Sequence, residues 1–265
     1  MERMLEATAR AEDRHFWFRG LRRHARLLLD EARAGGRGGL ILDCGAGTGR
    51  NLDWLNDFGL AIGVERSPAG LRVGRQFGRR LVRGTVTRLP LGDASVDVTT
   101  SFDVLYCLDD DDEREAVREM WRVLKPGGLA LVNAAALDLL HGSHSALTHE
   151  RRRYTPRRLA ALLTGAGFSI GRMTYTNMTL FPLTLAVRWR DRRQGRAEVA
   201  AETDLQVPPA PVNALLSAAV AVDGLLLRLV DLPIGSSLMC VARKHGETAG
   251  RGLAATTNVR AQADR

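Results

Sequence analysis

Lysine is nearly absent from this chain of 265 residues, because Lys125 and Lys244 are its only lysines among 38 basic residues. Arginine therefore carries the formal net charge of +8, and the charge is unevenly distributed. It amounts to +3 over residues 1–40, −2 over residues 41–136 and +7 over residues 137–265. Arginine excess is one signature of nucleic-acid binding, but here nearly all of it lies in the second half of the chain.

Cysteine is also scarce. Cys44, Cys107 and Cys240 are odd in number and more than sixty positions apart, which excludes a disulfide framework and a CxxC zinc site. This usage is typical of a reducing compartment, so we expect a cytoplasmic protein. The first six residues lack an apolar core, and we expect no signal peptide.

No apolar run is long enough to predict a transmembrane span. The most apolar stretch, residues 212–232, is interrupted by Asp223, Arg228 and Asp231. Its apolar positions recur at helical spacing and predict an amphipathic helix instead. The predicted stripe comprises Leu215, Ala219, Val222, Leu226 and Leu229. A hydrophobic content of 45% is high enough for a buried core and excludes a disordered chain.

Short apolar runs alternate with helical segments along the chain, which is typical of a parallel sheet covered by helices. The sequence predicts an α/β fold with a doubly wound, Rossmann-like sheet of seven mostly parallel strands. An N-terminal helical segment precedes the sheet, and a helical insertion precedes the last strand. The predicted strands are 40–44, 61–65, 81–83, 96–102, 129–135, 168–177 and 236–244.

A glycine-rich segment, Asp43-Cys44-Gly45-Ala46-Gly47-Thr48-Gly49, directly follows the first predicted strand. Glycines at such a turn let a ligand approach the backbone, and an acidic residue about twenty positions on can bind both hydroxyls of a ribose. Glu65, at the end of the second predicted strand, stands twenty positions after Gly45. The dinucleotide pattern GxGxxG would require a glycine where this chain has Arg50.

Further segments add to this pattern: Gly84–Leu91, Ser95–Val98, Asp103–Leu108 and the sequence RVLKPGG at Arg122–Gly128. With the glycine loop and Glu65, they resemble the motifs of class I S-adenosylmethionine-dependent methyltransferases of the methyltransferase type 11 kind. The resemblance runs from about residue 40 to residue 132. It implies a single methyltransferase domain over residues 1–245, built from an N-terminal segment (1–39), a cofactor-binding core (40–136) and a helical cap (178–234). Residues 246–265 are expected to be a disordered tail.

The resemblance also implies which residues contact S-adenosylmethionine. Glu65 would bind the ribose, while Thr85 and Val86 would meet the adenine, although Thr85 replaces the usual aspartate. Asp43 either orients the loop or caps its strand. Arg19, in the aromatic segment 12–19, either pairs with the cofactor carboxylate or belongs to a helix that docks on the core. The full predicted cofactor set is Arg19, Asp43, Gly45, Ala46, Gly47, Gly49, Glu65, Arg66, Thr85, Val86 and Phe102.

Acceptor-side residues are sought after the fifth strand, where open α/β sheets bind ligands. His141, His144 and His149 are candidate general bases, with surface or capping roles as the alternative. Their spacing does not place all three on one helical face, so we expect no metal site. Tyr106 and Tyr154 are further candidates for either role.

Two arginine clusters remain open to two interpretations. Arg151–Arg153, with Arg157 and Arg158, either bind an anionic acceptor or form a solvated turn. Trp189, among Arg188, Arg190, Arg192 and Arg193, either contacts an anionic membrane surface or lies on a solvated helix face.

The predicted function is methyl transfer from S-adenosylmethionine to a small or medium-sized acceptor through oxygen, nitrogen or carbon. One alternative is a nucleic-acid methyltransferase, disfavoured because Ser101–Val104 lacks the Asn/Asp-Pro-Pro-aromatic motif of base amino-group methylation. The other is a protein that binds S-adenosylmethionine without transferring methyl groups. The sequence identifies neither the acceptor nor an oligomeric state.

Overall fold

The computed structural model describes residues 2–140, 150–194 and 206–245. The predicted tail at 246–265 lies outside these residues. The strands are β1 Leu40–Cys44, β2 Leu60–Glu65, β3 Leu81–Arg83, β4 Val96–Phe102, β5 Leu124–Ala135, β6 Phe168–Thr176 and β7 Ser237–Lys244. The α-helices of the described residues are α1 Glu2–Ala11, α2 Phe16–Ala32, α3 Arg50–Leu55, α4 Pro68–Gln76, α5 Asp110–Val123, α6 Pro156–Gly165, α7 Phe181–Gln194 and α8 Ala210–Leu226.

The seven strands form one sheet in the order β3-β2-β1-β4-β5-β7-β6. Pairs from β3 through β5 are parallel, whereas β7 runs antiparallel to both of its neighbours. This confirms the predicted seven-stranded, mostly parallel sheet and the helical insertion, since α7 and α8 lie between β6 and β7. The strand order reverses between β1 and β4, and ligands of open α/β sheets bind in the crevice at such a point.

Strand bounds follow the sequence pattern closely, with one clear exception. β1, β3 and β4 have the predicted bounds. β5 was expected to begin at Leu129 but begins at Leu124, which pairs with Val96. The register with β4 shifts between Val96 and Val98, and Gly127 adopts a φ of +79° within this segment. The Lys-Pro-Gly-Gly turn is therefore part of an irregular strand.

Helix α8 shows that the predicted amphipathic stripe was wrong about which side packs. Leu215, Val222 and Leu229 of that stripe are exposed. The buried positions are Val220, Asp223, Gly224 and Leu227, on the opposite side. The inward side packs on α2, where the ring of His24 hydrogen-bonds the Val220 carbonyl through Nε2 (3.2 Å). Burial lowers the pKa of His24 to about 4, so this histidine is neutral at pH 7.

The α2–α8 contact predicts opposite effects for two glycine-to-alanine substitutions. A Cβ at Gly20 would lie 2.3 Å from Cγ1 of buried Val220, whereas one at Gly224 has no atom nearer than 3.6 Å. We expect Gly20→Ala to cost about 1–3 kcal/mol from overpacking, reduced by the better helix propensity of alanine. Gly224→Ala should stabilise by up to about 1 kcal/mol.

Urea unfolding of both variants measures this difference. Val220→Ala, which removes the clashing methyl, should lessen the destabilisation when combined with Gly20→Ala. Equal stabilities for the Gly20→Ala and Gly224→Ala variants would contradict the packing described here.

Candidate active site

The glycine loop after β1 has a backbone that only glycine adopts readily. Gly45, Gly47 and Gly49 have φ angles of +79°, +57° and +75°. A Cβ at Gly45 would lie 2.6 Å from Cγ2 of Val104, which follows β4. The amides of Gly45 and Ala46 both donate to the Val64 carbonyl, at 2.9 and 3.0 Å. The loop is therefore held against the ends of β2 and β4, and its backbone is left uncovered by side chains of its own.

Glu65, at the end of β2, also holds this loop in place through a hydrogen bond from the loop backbone. Its Oε2 accepts a hydrogen bond from the Gly47 amide (2.8 Å), and its Oε1 accepts one from the Ser67 amide (2.7 Å). An ionised carboxylate has about four lone-pair positions, so each oxygen keeps one position for a ligand hydroxyl. The spacing of Glu65 from the loop predicted a ribose contact, but not its bond to Gly47.

Asp43 lies beneath the loop and is almost fully buried. Its Oδ1 accepts a hydrogen bond from the Thr100 hydroxyl (2.7 Å), while Oδ2 has no hydrogen-bond partner among the described residues. Burial raises the pKa of Asp43 to about 7. The hydrogen bond to Thr100 joins the end of β1 to β4.

A single cavity of about 1150 Å³ extends over the loop and the ends of β1, β2 and β4. Asp43, Gly49 and Arg19 are not among the described residues that line it. Gly49 instead turns the chain into α3. The predicted cofactor residues that do line the cavity are Gly45, Ala46, Gly47, Glu65, Arg66, Thr85, Val86 and Phe102.

The N-terminal helices close one side of this cavity. Arg19 is exposed on α2, and Arg22, one turn further on, lines the cavity in its place. Arg22 donates to the carbonyl of Glu12 (2.5 Å), and the Glu12 carboxylate accepts from the hydroxyl of Thr48 in the glycine loop (2.9 Å). Burial raises the pKa of Glu12. Aromatic residues of the segment 12–19 also line the cavity, as expected if this segment covers a cofactor.

Asp103 follows β4 and lies at the other end of the cavity, where the sequence did not predict a functional residue. Its backbone is left-handed (φ +60°), a conformation that aspartate tolerates better than most residues. Its Oδ1 accepts a hydrogen bond from Nδ2 of Asn133 (2.8 Å). Burial raises the pKa of Asp103 to about 7. A proton acceptor titrating near neutral pH suits general base catalysis.

Charges near Asp103 are arranged so that no described cation forms an ion pair with it. Arg153 instead forms a bidentate pair with Glu150, with nitrogen–oxygen distances of 2.6 and 3.1 Å. Tyr106 and Cys107, after β4, complete this end of the cavity. The sequence does contain one indication of Asp103: it directly follows the buried strand β4, and ligands of open α/β sheets bind at the carboxyl ends of the strands.

The structure describes only some of the residues predicted on the acceptor side. His141, His144 and His149 lie outside the described residues. Tyr154 is fully buried and donates to Glu113, which gives it a structural role.

Three of the five arginines at positions 151–153, 157 and 158 form ion pairs. Arg152 and Arg158 both pair with Glu113, at 2.8 and 3.0 Å. Together with the Arg153–Glu150 pair, these contacts favour a structural turn over an anion site. Arg151 remains on the cavity wall.

The sheet topology and the glycine loop define a Rossmann-like α/β domain with a nucleotide-type cavity. Residues 42–132 match the family model described as a methyltransferase domain. Over these residues the chain carries a methyltransferase domain, and it is similar there to proteins named S-adenosylmethionine-dependent methyltransferases.

One relative, from Mycolicibacterium smegmatis, is named a probable S-adenosylmethionine-dependent methyltransferase. It is 33% identical over 164 residues, which is 60% of this chain and 61% of the relative, so the chain spans less than two thirds of that protein.

Two solved structures share the fold. One is the methyltransferase in a complex with the Haloferax volcanii Trm112 methyltransferase activator, 19% identical with a TM-score of 0.56, covering 90% of this chain and 93% of that one. The other is the Burkholderia thailandensis 1,6-didemethyltoxoflavin-N1-methyltransferase, 17% identical with a TM-score of 0.52, covering 86% and 80%. It was solved with 1,6-didemethyltoxoflavin and S-adenosylhomocysteine bound.

Among the described residues, no three His, Cys, Asp or Glu side chains are grouped so that they could hold a metal ion. Within the same ranges, no helix combines the length and apolar character needed to cross a membrane.

Proposed function

We propose that this chain transfers a methyl group from S-adenosylmethionine to an acceptor that carries an ionisable O–H or N–H group. The observation that carries the proposal is that one cavity joins the glycine loop and Glu65 to the half-buried Asp103. Cofactor and acceptor can then be held side by side, and positioning supplies much of the acceleration of such a displacement.

The fit of the cofactor rests on the shape of the loop. A side chain at Gly45 would collide with Val104, and one at Gly70 would lie 2.5 Å from the Gly47 carbonyl, so the backbone packs tightly where the cradle forms. Glu65 would hold the ribose, and the turn at Thr85 and Val86 would face the adenine. The Thr85 hydroxyl hydrogen-bonds the Thr87 hydroxyl (3.0 Å), and the backbone groups of this turn would contact the base.

The protein's own chemistry centres on the proton of the acceptor. When bound, S-adenosylmethionine supplies an electrophilic methyl group on a sulfonium. Asp103 accepts the proton from the acceptor oxygen or nitrogen, which makes that atom nucleophilic. Asn133 orients the carboxylate through its hydrogen bond to Oδ1.

Calorimetric titration with S-adenosylhomocysteine and incubation of cell extract with methyl-labelled S-adenosylmethionine test this proposal together. We expect one binding site and one labelled small molecule. Absence of binding would overturn the proposal. Labelled RNA would instead favour the nucleic-acid alternative, with a steep salt dependence of affinity. Binding without any labelled product would favour a protein that does not methylate.

We also propose that residues 1–245 act as one domain in the cytoplasm. Leu28 of α2, Ile41 of β1 and Met239 of β7 belong to one buried cluster, which supports a single folding unit.

Burial raises the pKa of the Cys240 thiol to about 12, so this cysteine is a structural apolar residue rather than a reactive thiolate. That is consistent with the reducing compartment predicted from the cysteine spacing.

A further inference from the structure

The cap formed by α7 and α8 has an apolar outer face. On α8, Leu215, Val222, Leu225 and Leu229 (the last just beyond the helix) are 71%, 46%, 58% and 82% exposed. At 100° per residue these four positions fall within one stripe about 80° wide, opposite the side that packs on α2. Single exposed leucines need no explanation, but an aligned stripe of them marks an interaction surface.

The second helix of the cap, α7, also exposes apolar side chains and adds the chemistry of a membrane interface. The two helices meet at Thr179, just before α7, whose hydroxyl donates to the Ala219 carbonyl of α8 (2.9 Å). Leu183 and Trp189 of α7 are both exposed. Tryptophan prefers the boundary between lipid headgroups and acyl chains, because its ring is apolar and its N–H is polar.

Charge favours an anionic lipid surface as the occupant of this face. Along the sequence of α7, Arg188, Arg190, Arg192 and Arg193 flank Trp189, with one acidic residue, Asp191, among them. Arg190 and, after α8, Arg228 are exposed. α8 itself carries no charged residue before the buried Asp223. Asp231, the next acidic residue, is paired with Arg172 at 2.7 Å. An apolar stripe bordered by arginines is the pattern of helices that lie in the interface of anionic membranes.

The same two helices form the wall of the active-site cavity. Leu183 and Val187 of α7 and Leu216 of α8 line it. We propose that α7 and α8 dock on an anionic lipid surface, so that an apolar, lipid-borne acceptor enters the cavity between them. The docking stands on the outer face alone, whereas the entry of an acceptor rests on the proposed methyltransferase function.

Sedimentation of the full-length chain with sucrose-loaded vesicles tests the docking. We expect binding to vesicles of phosphatidylcholine with 30% phosphatidylglycerol, and weak binding to phosphatidylcholine alone. The double variant Leu215→Glu/Leu229→Glu should lower the partition coefficient at least about tenfold, because two exposed leucines are removed from the contact. Leu60→Glu is the matched control, since Leu60 is exposed at the amino end of β2 and should leave binding unchanged.

Substitution of exposed arginines tests whether charge contributes to the docking. Arg190→Glu/Arg228→Glu should weaken binding to the anionic vesicles and abolish its salt dependence. Failure of the wild-type chain to bind, or equal binding to both vesicle types, would overturn the proposal. So would a dimer in solution that Leu215→Glu/Leu229→Glu converts to a monomer without any vesicle binding, since the face would then join two copies. If the wild-type chain bound vesicles but did not bind S-adenosylhomocysteine, the docking would stand and the proposed methyltransferase function would be contradicted.

Discussion

Methyl transfer by the Asp103→Asn variant is expected to be about 10²–10⁴-fold slower than by the wild-type chain. The substitution keeps the shape of the side chain but removes the atom that accepts the acceptor's proton. Affinity for S-adenosylhomocysteine should not change, because Asp103 lies at the acceptor end of the cavity. The measurement is the rate of transfer of labelled methyl to the acceptor recovered from extract, with calorimetry for the affinity.

The pH dependence separates a general base from a structural carboxyl. With a pKa of about 7, Asp103 should make the wild-type rate rise as pH increases and level off above neutrality. Removing Asn133 with Asn133→Ala deletes a hydrogen bond that favours the charged form, so the rise should move to higher pH. An Asp103→Asn variant with a normal rate, or with the wild-type pH profile, would eliminate Asp103 as the base. Asp111→Asn, at an exposed position on α5, is the control.

Stability should respond to the same titration, with a sign that follows from linkage. The pKa of Asp103 is raised in the folded state, so the folded chain binds more protons than the unfolded chain between about pH 4 and pH 7. The free energy of unfolding should therefore decrease as pH rises through this range. Asp43, whose pKa is also about 7, contributes in the same direction. Asp103→Asn should flatten part of that slope in urea unfolding experiments.

Replacement of Glu65 should weaken cofactor binding about 100-fold, and glutamine should be no better than alanine. Both carboxylate oxygens accept hydrogen bonds from backbone amides, those of Gly47 and Ser67. In Glu65→Gln, either orientation of the side-chain amide places a donor against a donor. Hydrogen bonds to charged groups contribute about 1.5–3 kcal/mol each, so losing the ribose contact and the loop position together accounts for the expected factor.

Calorimetry with S-adenosylhomocysteine measures this effect. Glu115→Gln serves as the control, since Glu115 is exposed on α5 and pairs only with Arg118 at 3.5 Å among the described residues. If Glu65→Gln retained most of the affinity that Glu65→Ala loses, the carboxylate would act through the ribose alone. The fastening of the glycine loop would then have no part in cofactor binding.

Sheet strands and cofactor loop were predictable from sequence because their signals are local. β1 begins with three successive apolar residues, Leu40–Leu42, as is typical of a strand that helices cover on both faces. Gly45, Gly47 and Gly49 mark a turn that other residues adopt with strain, and Glu65 follows at the distance of one strand–helix–strand unit. These features set the fold and the place of the cofactor without reference to any distant residue.

Which side chains line the cavity was less predictable, because contacts between residues far apart in the sequence decide it. Arg19 and Arg22 are one helical turn apart, and the packing of α2 on the core and on α8 turns Arg22 toward the cavity. Arg152 and Arg153 fit the sequence pattern of an anion site, but in the structure they pair with Glu113 and Glu150. Ion pairs of this kind join residues that sequence spacing does not relate.

Helix α8 shows which features the sequence determines by itself and which depend on tertiary contacts. Its composition alone determined that an apolar helix would form before the last strand, just as strand and glycine patterns determined a class I methyltransferase fold around residues 42–132. Tertiary structure alone decided that Val220 and Gly224 pack inward while Leu215 and Leu229 face outward. It also placed the half-buried Asp103 against the Asn133 amide. A helix apolar on all sides has no polar face to indicate which side packs, and a carboxyl acquires its pKa only from the groups that burial places around it.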